Sequence, residues 1–258
     1  DVYKRQFLWD GSAMRDLGAL GGTLSNGNAV NDSGQVTGEA YTINNGASHA
    51  FLWDGSSMKD LSLGSFGATY STGMAINAAG QVTGLAYIND FDQHAFLWDG
   101  TTTQDLGTFG GTDSQGNAIN DSGQVTGVAN TAGDSERHAF LWEGTSMRDL
   151  GTLGGTYSEG IAINALGQIA GTATTPEPAD SHAFLWDGTT MLDLNSLIHP
   201  ADPLQPYVTL VESRDINDRG QVLASGCDSR TGDCHAYVVS PLDTTPDAFK
   251  FASQAHVA

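Results

Sequence analysis

One heptapeptide, His-Ala-Phe-Leu-Trp-Asp-Gly, recurs along the chain at an almost fixed interval. Its copies occupy 49–55, 94–100, 138–144 and 182–188, the third with Glu in place of Asp. The last five residues of the heptapeptide also stand at 7–11, and His235 begins a degenerate copy. The five tryptophans are therefore 44 or 45 residues apart. A period of this length is typical of an array of one supersecondary unit.

The rest of the unit repeats as well. Each tryptophan is followed by a short polar turn, an Asp-Leu pair and a glycine-rich link. The sequence Ala-Ile-Asn-x-x-Gly-Gln-Val-Thr-Gly, or a close variant, then occupies 29–38, 75–84, 118–127, 162–171 and 215–224. The Asn, Asp and Gly at the centre of this motif are typical of hairpin turns, because they tolerate left-handed backbone. Each unit thus predicts four strands joined by tight turns.

The period and the turns predict an all-β fold, a β-propeller built from four-stranded repeats of about 45 residues. We expect each unit to end on the His-Ala-Phe-Leu-Trp strand. This phase gives five complete units, and it leaves 7–9 as an orphan strand at the start of the chain. An open solenoid is the alternative, and it ranks second because its coils are shorter than a four-stranded unit.

The predicted propeller extends over 7–239, and 240–258 is expected to be a C-terminal tail. Residues 1–6 lie outside the repeat, and their sequence is the in-frame translation of a transposase end used as a sequencing adapter. We interpret them as a non-native segment on a fragment of metagenomic origin. In this interpretation a signal peptide has been lost by truncation, and the parent protein has at least one further blade.

Charge constrains the partners. The chain has 10 Lys and Arg against 30 Asp and Glu, a formal net charge of −20. Proteins that bind nucleic acid neutralise phosphates with basic side chains, so a nucleic-acid partner is not expected. An anionic membrane surface would repel the chain for the same reason. Because no apolar run is as long as a membrane span, we also predict no membrane insertion. We expect a self-repelling monomer.

The two cysteines, Cys227 and Cys234, stand at the ends of one loop. We predict a disulfide between them, which is compatible with an oxidising compartment. Unpaired thiols are the alternative. A structural zinc site is disfavoured, because no second Cys or His pair stands at ligand spacing to complete four ligands.

Three motifs together resemble the bacterial HAF repeat family of extracellular proteins. They are His-Ala-Phe-Leu-Trp-Asp-Gly, Asp-Leu-Gly-Thr-Leu-Gly-Gly and Ala-Ile-Asn-x-x-Gly-Gln-Val-Thr-Gly, and the resemblance extends from Phe7 to about Val239. It implies an exported, extracellular or cell-surface bacterial protein, and it supplies no catalytic residues. Many relatives end in a sorting segment with Pro-Glu-Pro, an apolar stretch and a basic tail. The Pro-Glu-Pro at 176–178 lies between strands, so the sequence does not support anchoring.

The repeated histidines are the most prominent titratable residues. They are His49, His94, His138, His182 and His235. A ring of histidines could bind a metal, yet catalytic residues rarely recur in every repeat. We therefore interpret these histidines as structural, each hydrogen-bonded to the aspartate of an Asp-Leu pair. The tryptophans of the same motif are predicted to be buried between blades; they are Trp53, Trp98, Trp142 and Trp186. The Asn-Asp-Ser-Gly segments are interpreted as turns, and no metal or cofactor is expected.

The segments before each His-Ala-Phe differ in every unit, and function in such scaffolds usually resides on loops. The first hypothesis is an extracellular binding or scaffold module for a glycan or a protein. Its candidate contacts are Tyr41, Tyr87, Phe91 and Tyr207, because aromatic side chains contribute much of the energy of binding. The alternative is a polysaccharide-active hydrolase or lyase. Its candidate carboxylates are Asp90, Asp92, Asp134 and Glu136.

Overall fold

The computed structural model describes residues 6–9, 11–61, 63, 68–89, 91–176, 180–241 and 251–255. Antiparallel strands make up most of the regular structure in these residues. The helical turns are short: α1 (Leu194–Leu197) and two 3-10 turns, Ile43–Asn45 and Ala132–Asp134. Within the described ranges, no helix is both long enough and apolar enough to cross a membrane.

A two-stranded sheet and then five four-stranded sheets follow one another along the chain. The two-stranded sheet consists of β1 (Phe7–Trp9) and β2 (Met14–Asp16). The first sheet contains β3 (Gly21–Val30), β4 (Val36–Thr42), β5 (Ser48–Trp53) and β6 (Met58–Asp60), and the second contains β7 (Ser71–Ile76), β8 (Val82–Tyr87), β9 (Gln93–Trp98) and β10 (Thr103–Gly107). The third sheet contains β11 (Gly110–Ile119), β12 (Val125–Thr131), β13 (Arg137–Trp142) and β14 (Met147–Asp149), and the fourth contains β15 (Ser158–Ile163), β16 (Ile169–Thr174), β17 (Ser181–Trp186) and β18 (Met191–Asp193). The fifth sheet contains β19 (Val208–Ile216), β20 (Val222–Asp228), β21 (Cys234–Pro241) and β22 (Phe251–Ala255).

The four-stranded sheets pack face to face in sequence order. Within each sheet every strand pairs with the next one along the chain. The first strand of a sheet then contacts the first three strands of the preceding sheet, as β7 contacts β3, β4 and β5. Parallel bridges occur at three of these junctions, between Ser48 and Tyr70, Gln93 and Asp113, and Arg137 and Tyr157. The bridge between Gln93 and Asp113 links the second and third sheets into one eight-stranded sheet. Successive four-stranded meanders packed in this way are the blades of a β-propeller, and the predicted fold class is confirmed.

The phase of the repeat differs from the prediction by one strand. The Met-x-Asp strand pairs with the Phe-Leu-Trp strand before it, for example Trp53 with Met58. His-Ala-Phe-Leu-Trp is therefore the third strand of its sheet, and the chain opens with two paired strands in place of one orphan. The cause is the tight turn between the two strands. Backbone N–H groups of Ser57 and Ser56 donate to the Asp54 carboxylate, and these bonds lower its pKa to about 2.

The fifth sheet acquires its fourth strand differently. Here β21 pairs with β22, and Tyr237 lies opposite Ala255. Part of the segment that we predicted to be a tail after residue 239 thus completes a sheet. No Met-x-Asp motif follows His235, so the sequence pattern does not mark this strand.

The His-Ala-Phe-Leu-Trp strand contributes to two interfaces, because successive side chains of a strand point to opposite faces. Phe96 and Trp98 of the second sheet pack against Ala50 and Leu52 of the first. The same arrangement recurs between the second and third sheets and between the third and fourth. Trp53, Trp98, Trp142 and Trp186 are buried, whereas Trp9 of the two-stranded sheet is 60% exposed. The core is therefore a series of layers, one between each pair of adjacent sheets.

The Ala-Ile-Asn-x-x-Gly-Gln motif also joins adjacent sheets. The Asn120 Oδ1 accepts hydrogen bonds from the backbone N–H groups of Ser122 and Gln124, and its Nδ2 donates to Gln124 Oε1. The same Nδ2 donates to the Asn164 carbonyl of the next sheet, at 3.0 Å. Equivalent bonds join consecutive members of one series, which we call the asparagine ladder: Asn31, Asn77, Asn120, Asn164 and Asn217. The turn motif is thus also an inter-sheet clamp.

Cys227 and Cys234 form a disulfide, as predicted. They are directly opposite each other on β20 and β21, with Cα atoms 4.0 Å apart. The bond closes the loop that joins these two strands. The loop is short, so the expected gain in stability is modest.

Replacing both cysteines with serine, Cys227→Ser with Cys234→Ser, should lower the free energy of unfolding by about 2–3 kcal/mol. The reason is that the unfolded chain is no longer closed into a loop and gains conformational entropy. Urea denaturation of the wild type and the double variant measures this difference. A reducing agent should destabilise the wild type by the same amount and leave the variant unchanged. Two reactive thiols in the unfolded, unreduced wild type would contradict the bond.

Candidate functional site

A cleft opens between the first and second four-stranded sheets. It has a volume of about 600 Å³. Its main polar and aromatic lining residues, which define the tyrosine cleft, are Glu39, Tyr41, Tyr70, Thr72, Tyr87 and Asn89. Small-molecule sites in proteins commonly have volumes of about 300–1,000 Å³ and combine aromatic walls with a few polar groups. The tyrosine cleft has the size and the composition of such a site.

The strands of two sheets position the three tyrosines. Tyr41 stands near the end of β4, and Tyr87 ends the equivalent strand β8. Tyr70 immediately precedes β7 and forms a parallel bridge to Ser48 of the first sheet. The backbone N–H of Tyr87 donates to the Tyr70 carbonyl at 2.9 Å. These backbone bonds hold the tyrosines on both walls of the cleft at fixed positions.

The tyrosine rings are available to a ligand. Tyr70 and Tyr87 are 48% and 37% exposed, and Tyr41 is half-buried. The rings of Tyr70 and Tyr87 meet edge to face, with centroids 6.4 Å apart and planes at 81°. Such a pair is a favourable aromatic contact, and it orients each ring. The cleft therefore presents preorganised aromatic surface to solvent.

Glu39 is the carboxylate of the cleft. Its Oε1 accepts a hydrogen bond from Asn26 Nδ2 at 3.0 Å, and its Oε2 accepts one from Thr72 Oγ1 at 2.9 Å. Both partners are neutral. No ion pair to Glu39 is present in the described part of the chain. The carboxylate is thus held in position, and each oxygen keeps capacity to accept a further hydrogen bond.

Among the described residues, tyrosines on both walls together with a carboxylate occur at only one of the four junctions between consecutive four-stranded sheets. Strand pairing places Tyr41 and Tyr87 at one repeat position, whose other occupants are Asn130, Thr174 and Cys227. The same register aligns Glu39 with Leu85, Val128, Thr172 and Ser225. Only the first junction has a tyrosine at this position on both sheets, so the cleft departs from the repeat.

The structure brings together two of the predicted aromatic contacts, Tyr41 and Tyr87, and separates the others. Phe91 is 86% exposed in its loop and does not line the cleft. Tyr207 immediately precedes β19 of the fifth sheet, and its ring lies 4.3 Å from the guanidinium carbon of Arg230. Sequence reasoning missed Tyr70 and Glu39. Glu39 occupies a position that is apolar or hydroxylic in the other repeats, and this departure is a signal that could have identified it.

The candidate catalytic carboxylates are engaged in loop contacts. Asp92 accepts a hydrogen bond from Asn89 Nδ2. Asp134 accepts from the backbone N–H of Thr112 and from Asn130 Nδ2, and these bonds lower the pKa of Asp134. The Glu136 carboxylate lies 3.0 Å from His138 Nε2. None of these three lines the tyrosine cleft. Asp90, the fourth candidate, lies outside the described residues.

Four of the repeated histidines bond to the aspartate of the neighbouring fourth strand through Nδ1. The pairs, with Nδ1–O distances, are His49–Asp60 at 2.8 Å, His94–Asp105 at 2.9 Å, His138–Asp149 at 2.9 Å and His182–Asp193 at 2.8 Å. His235 differs from them: it is exposed, and its neighbour β22 contains no aspartate. Among the described residues, no group of three or more His, Cys, Asp or Glu could hold a metal ion.

The His94–Asp105 pair should make stability depend on pH. The hydrogen bond from His94 to Asp105 raises the pKa of His94 above its ordinary 6.5. Burial raises the pKa of Asp105, but hydrogen bonds from His94 and the Gly107 N–H outweigh it and leave that pKa below 3.8. The contribution of His94 to the free energy of unfolding is complete below pH 6.5, and it disappears as the pH rises through the raised pKa of His94. The aspartate contribution is complete above pH 3.8 and disappears as the pH falls through the lowered value.

We therefore expect the loss of stability in His94→Gln to be largest between about pH 4 and 6.5 and to shrink by pH 9. Urea denaturation of the wild type and the variant across this range measures the difference. A loss that stays constant from pH 5 to 9 would contradict a charged His94 in the pair.

Comparison with known proteins gives a distant likeness of fold. No family model matches the chain, and no curated protein matches it. Among solved structures, two of a mutant of the Aleuria aurantia lectin are similar, one in complex with α-methyl-L-fucoside and one with Fucα1-6GlcNAc. Each is 12% identical and covers 90% of this chain; 76% and 77% of the lectin chain are covered, with TM-scores of 0.41 and 0.42. A likeness at this level does not bear on the cleft.

Proposed function

We propose that the protein is an extracellular binding module that holds a glycan in the tyrosine cleft. The observation that carries the proposal is the set of half-exposed tyrosine rings on the two walls, with a positioned carboxylate between two neutral donors. The C–H face of a pyranose ring can stack on a tyrosine ring, and aromatic residues dominate the energy of many binding sites. Sugar hydroxyls can donate to the free lone pairs of Glu39.

Two further features support an extracellular, bacterial repeat protein. The Cys227–Cys234 disulfide is of a kind that persists in oxidising compartments outside the cytosol. The repeated motifs from Phe7 onward support membership of the HAF repeat family. The strong negative charge keeps such a protein soluble and disfavours acidic partners.

The arrangement of carboxylates at the cleft favours a protein that binds a glycan without cleaving it. Glycoside hydrolysis usually requires two carboxyl groups on opposite sides of the scissile bond. In the described part of the cleft lining, Glu39 is the one carboxylate. Asp134 and Glu136 hold their own loops through hydrogen bonds and stand outside that lining.

A glycan array followed by calorimetric titration of the best ligand tests the proposal. We expect Tyr41→Ala and Tyr87→Ala each to weaken binding by about tenfold, which corresponds to about 1.4 kcal/mol. Tyr207→Ala is the matched control, because it makes the same change outside the cleft, and it should bind as the wild type does. A reducing-sugar assay should detect no product. The absence of any glycan ligand, or unchanged affinity in the Tyr41→Ala Tyr87→Ala double variant, would refute the proposal.

A further inference from the structure

We infer that the tyrosine cleft selects sugars that carry a protonated amino group, such as glucosamine units, over the same sugars in N-acetylated form. The inference rests on the proposed function and narrows its ligand class. It starts from the charge of Glu39. The two hydrogen-bond partners of this carboxylate, Asn26 and Thr72, are neutral, and the described lining contains no lysine, arginine or histidine.

The tyrosine rings favour the same kind of ligand. The face of an aromatic ring carries partial negative charge and attracts a cation within about 6 Å of its centroid. The three tyrosines and the carboxylate that line the cleft would therefore all attract a bound ammonium group. A neutral sugar can stack on the rings and donate hydroxyl hydrogen bonds to Glu39, but it leaves the charge of Glu39 without a counter-ion.

Elsewhere in the molecule, the chain covers aromatic rings with its own cations. The Lys59 ammonium lies 4.6 Å from the ring centroid of Trp98, and the Arg148 guanidinium lies 4.9 Å from that of Trp186. Arg230 covers Tyr207 in the turns beside the fifth sheet. The tyrosine cleft has no such internal cation among the described residues. An external cation would complete there a contact that the rest of the molecule makes internally.

The junction between the third and fourth sheets provides the closest internal comparison. Tyr157 occupies the repeat position of Tyr70, and its hydroxyl donates to the Glu159 carboxylate. The guanidinium of Arg137 lies 5.9 Å from the Tyr157 ring. Thus a tyrosine and a carboxylate occur together at that junction with an arginine of the chain. Strand register aligns Arg137 with Ser48, which lines the tyrosine cleft and carries no charge.

The net charge of the whole chain acts in the same direction. With 30 acidic against 10 basic side chains, the surface attracts cations and repels uronic acids or sulfated sugars. This general attraction lacks a fixed position, so a test must separate it from selection by the cleft. Using a small ligand, and comparing the loss of Glu39 with the loss of one carboxylate elsewhere on the surface, separates the two effects.

The experiment is calorimetric titration of the full chain with the disaccharide of glucosamine and, separately, the disaccharide of N-acetylglucosamine, near neutral pH and low salt. The two ligands share their rings and differ in the charged amine. We expect the wild type to bind the amine form at least tenfold more tightly. Glu39→Gln should reduce this preference to within about twofold. Glu143→Gln, which removes one carboxylate outside the cleft lining, should keep the full preference.

Each outcome is decisive. If the tenfold preference survived Glu39→Gln, its cause would be the acidic surface in general, and the inference would be overturned. Equal binding of the two disaccharides by the wild type would also overturn it, while the proposed function would stand. Failure of every glycan on an array to bind would instead refute the proposed function. Thermal melting of Glu39→Gln shows whether the variant is folded, and Asn26→Leu gives a second, charge-conserving perturbation that should reduce the preference by releasing Glu39 Oε1.

Discussion

Gly127→Ala should lower the free energy of unfolding by about 3 kcal/mol, because the added methyl group cannot be accommodated without a backbone shift. A Cβ atom at Gly127 would lie 1.9 Å from the carbonyl oxygen of Gln115 on the paired strand. On the other side it would lie 3.0 Å from the ring of Phe140. Neither neighbour is the end of a flexible chain. Urea denaturation with a two-state fit measures the effect.

Gly46→Ala is the matched control for this prediction. Gly46 has a φ of −74°, which any residue can adopt. The nearest atom to an added Cβ is the Ile43 carbonyl oxygen, at an ordinary contact distance of 3.7 Å. Here alanine should leave stability unchanged or raise it by about 0.5 kcal/mol, since it restricts the unfolded chain. Equal losses in the two variants would contradict the close approach of strands at Gly127.

Asn120→Ala should also lower the free energy of unfolding by about 3 kcal/mol, because it leaves several buried polar groups without partners. Asn120 is 6% exposed and belongs to the asparagine ladder. The change removes the acceptor for the N–H groups of Ser122 and Gln124 and the bond to the next sheet. Chemical denaturation of the purified variant measures the loss.

Asn217→Ala tests whether the inter-sheet contact and burial matter. Asn217 makes the same turn bonds, to the N–H groups of Arg219 and Gln221, but its side chain is exposed. Water can replace those bonds, so the expected loss is about 1 kcal/mol. If Asn217→Ala were as destabilising as Asn120→Ala, the ladder would not be a clamp between sheets.

The architecture could be predicted from the sequence because the repeat fixes both the number of strands and their turns. The phase could not be read in the same way. The prediction placed the sheet boundary after Trp53, yet the turn at Asp54 folds Met58 back onto that tryptophan. An Asp-Gly turn after a strand is a strong hairpin signal, and greater weight on it would have corrected the phase.

The candidate site was predictable only in part. Tyr41 and Tyr87 are recognisable because they share one position of the repeat. Tyr70 joins them through a backbone bridge to Ser48 in another sheet, which depends on how the two sheets twist and pack. The partner of Glu39, Thr72, is 33 residues away along the chain. Contacts between sheets of this kind leave no local pattern in a single sequence.

The asparagine ladder and the tyrosine cleft lie at opposite ends of the strands. The ladder uses the turn between the first and second strands of each sheet, and the cleft uses residues such as Tyr41 and Tyr87 near the far end of the second strand. In each of the first four sheets, the side chain of the ladder asparagine donates a hydrogen bond to the next sheet. Duplication or loss of a whole unit would therefore preserve the clamp. Mutations at the far end could diversify one junction after another, so evolution can alter recognition in this protein independently of the bonds that assemble it.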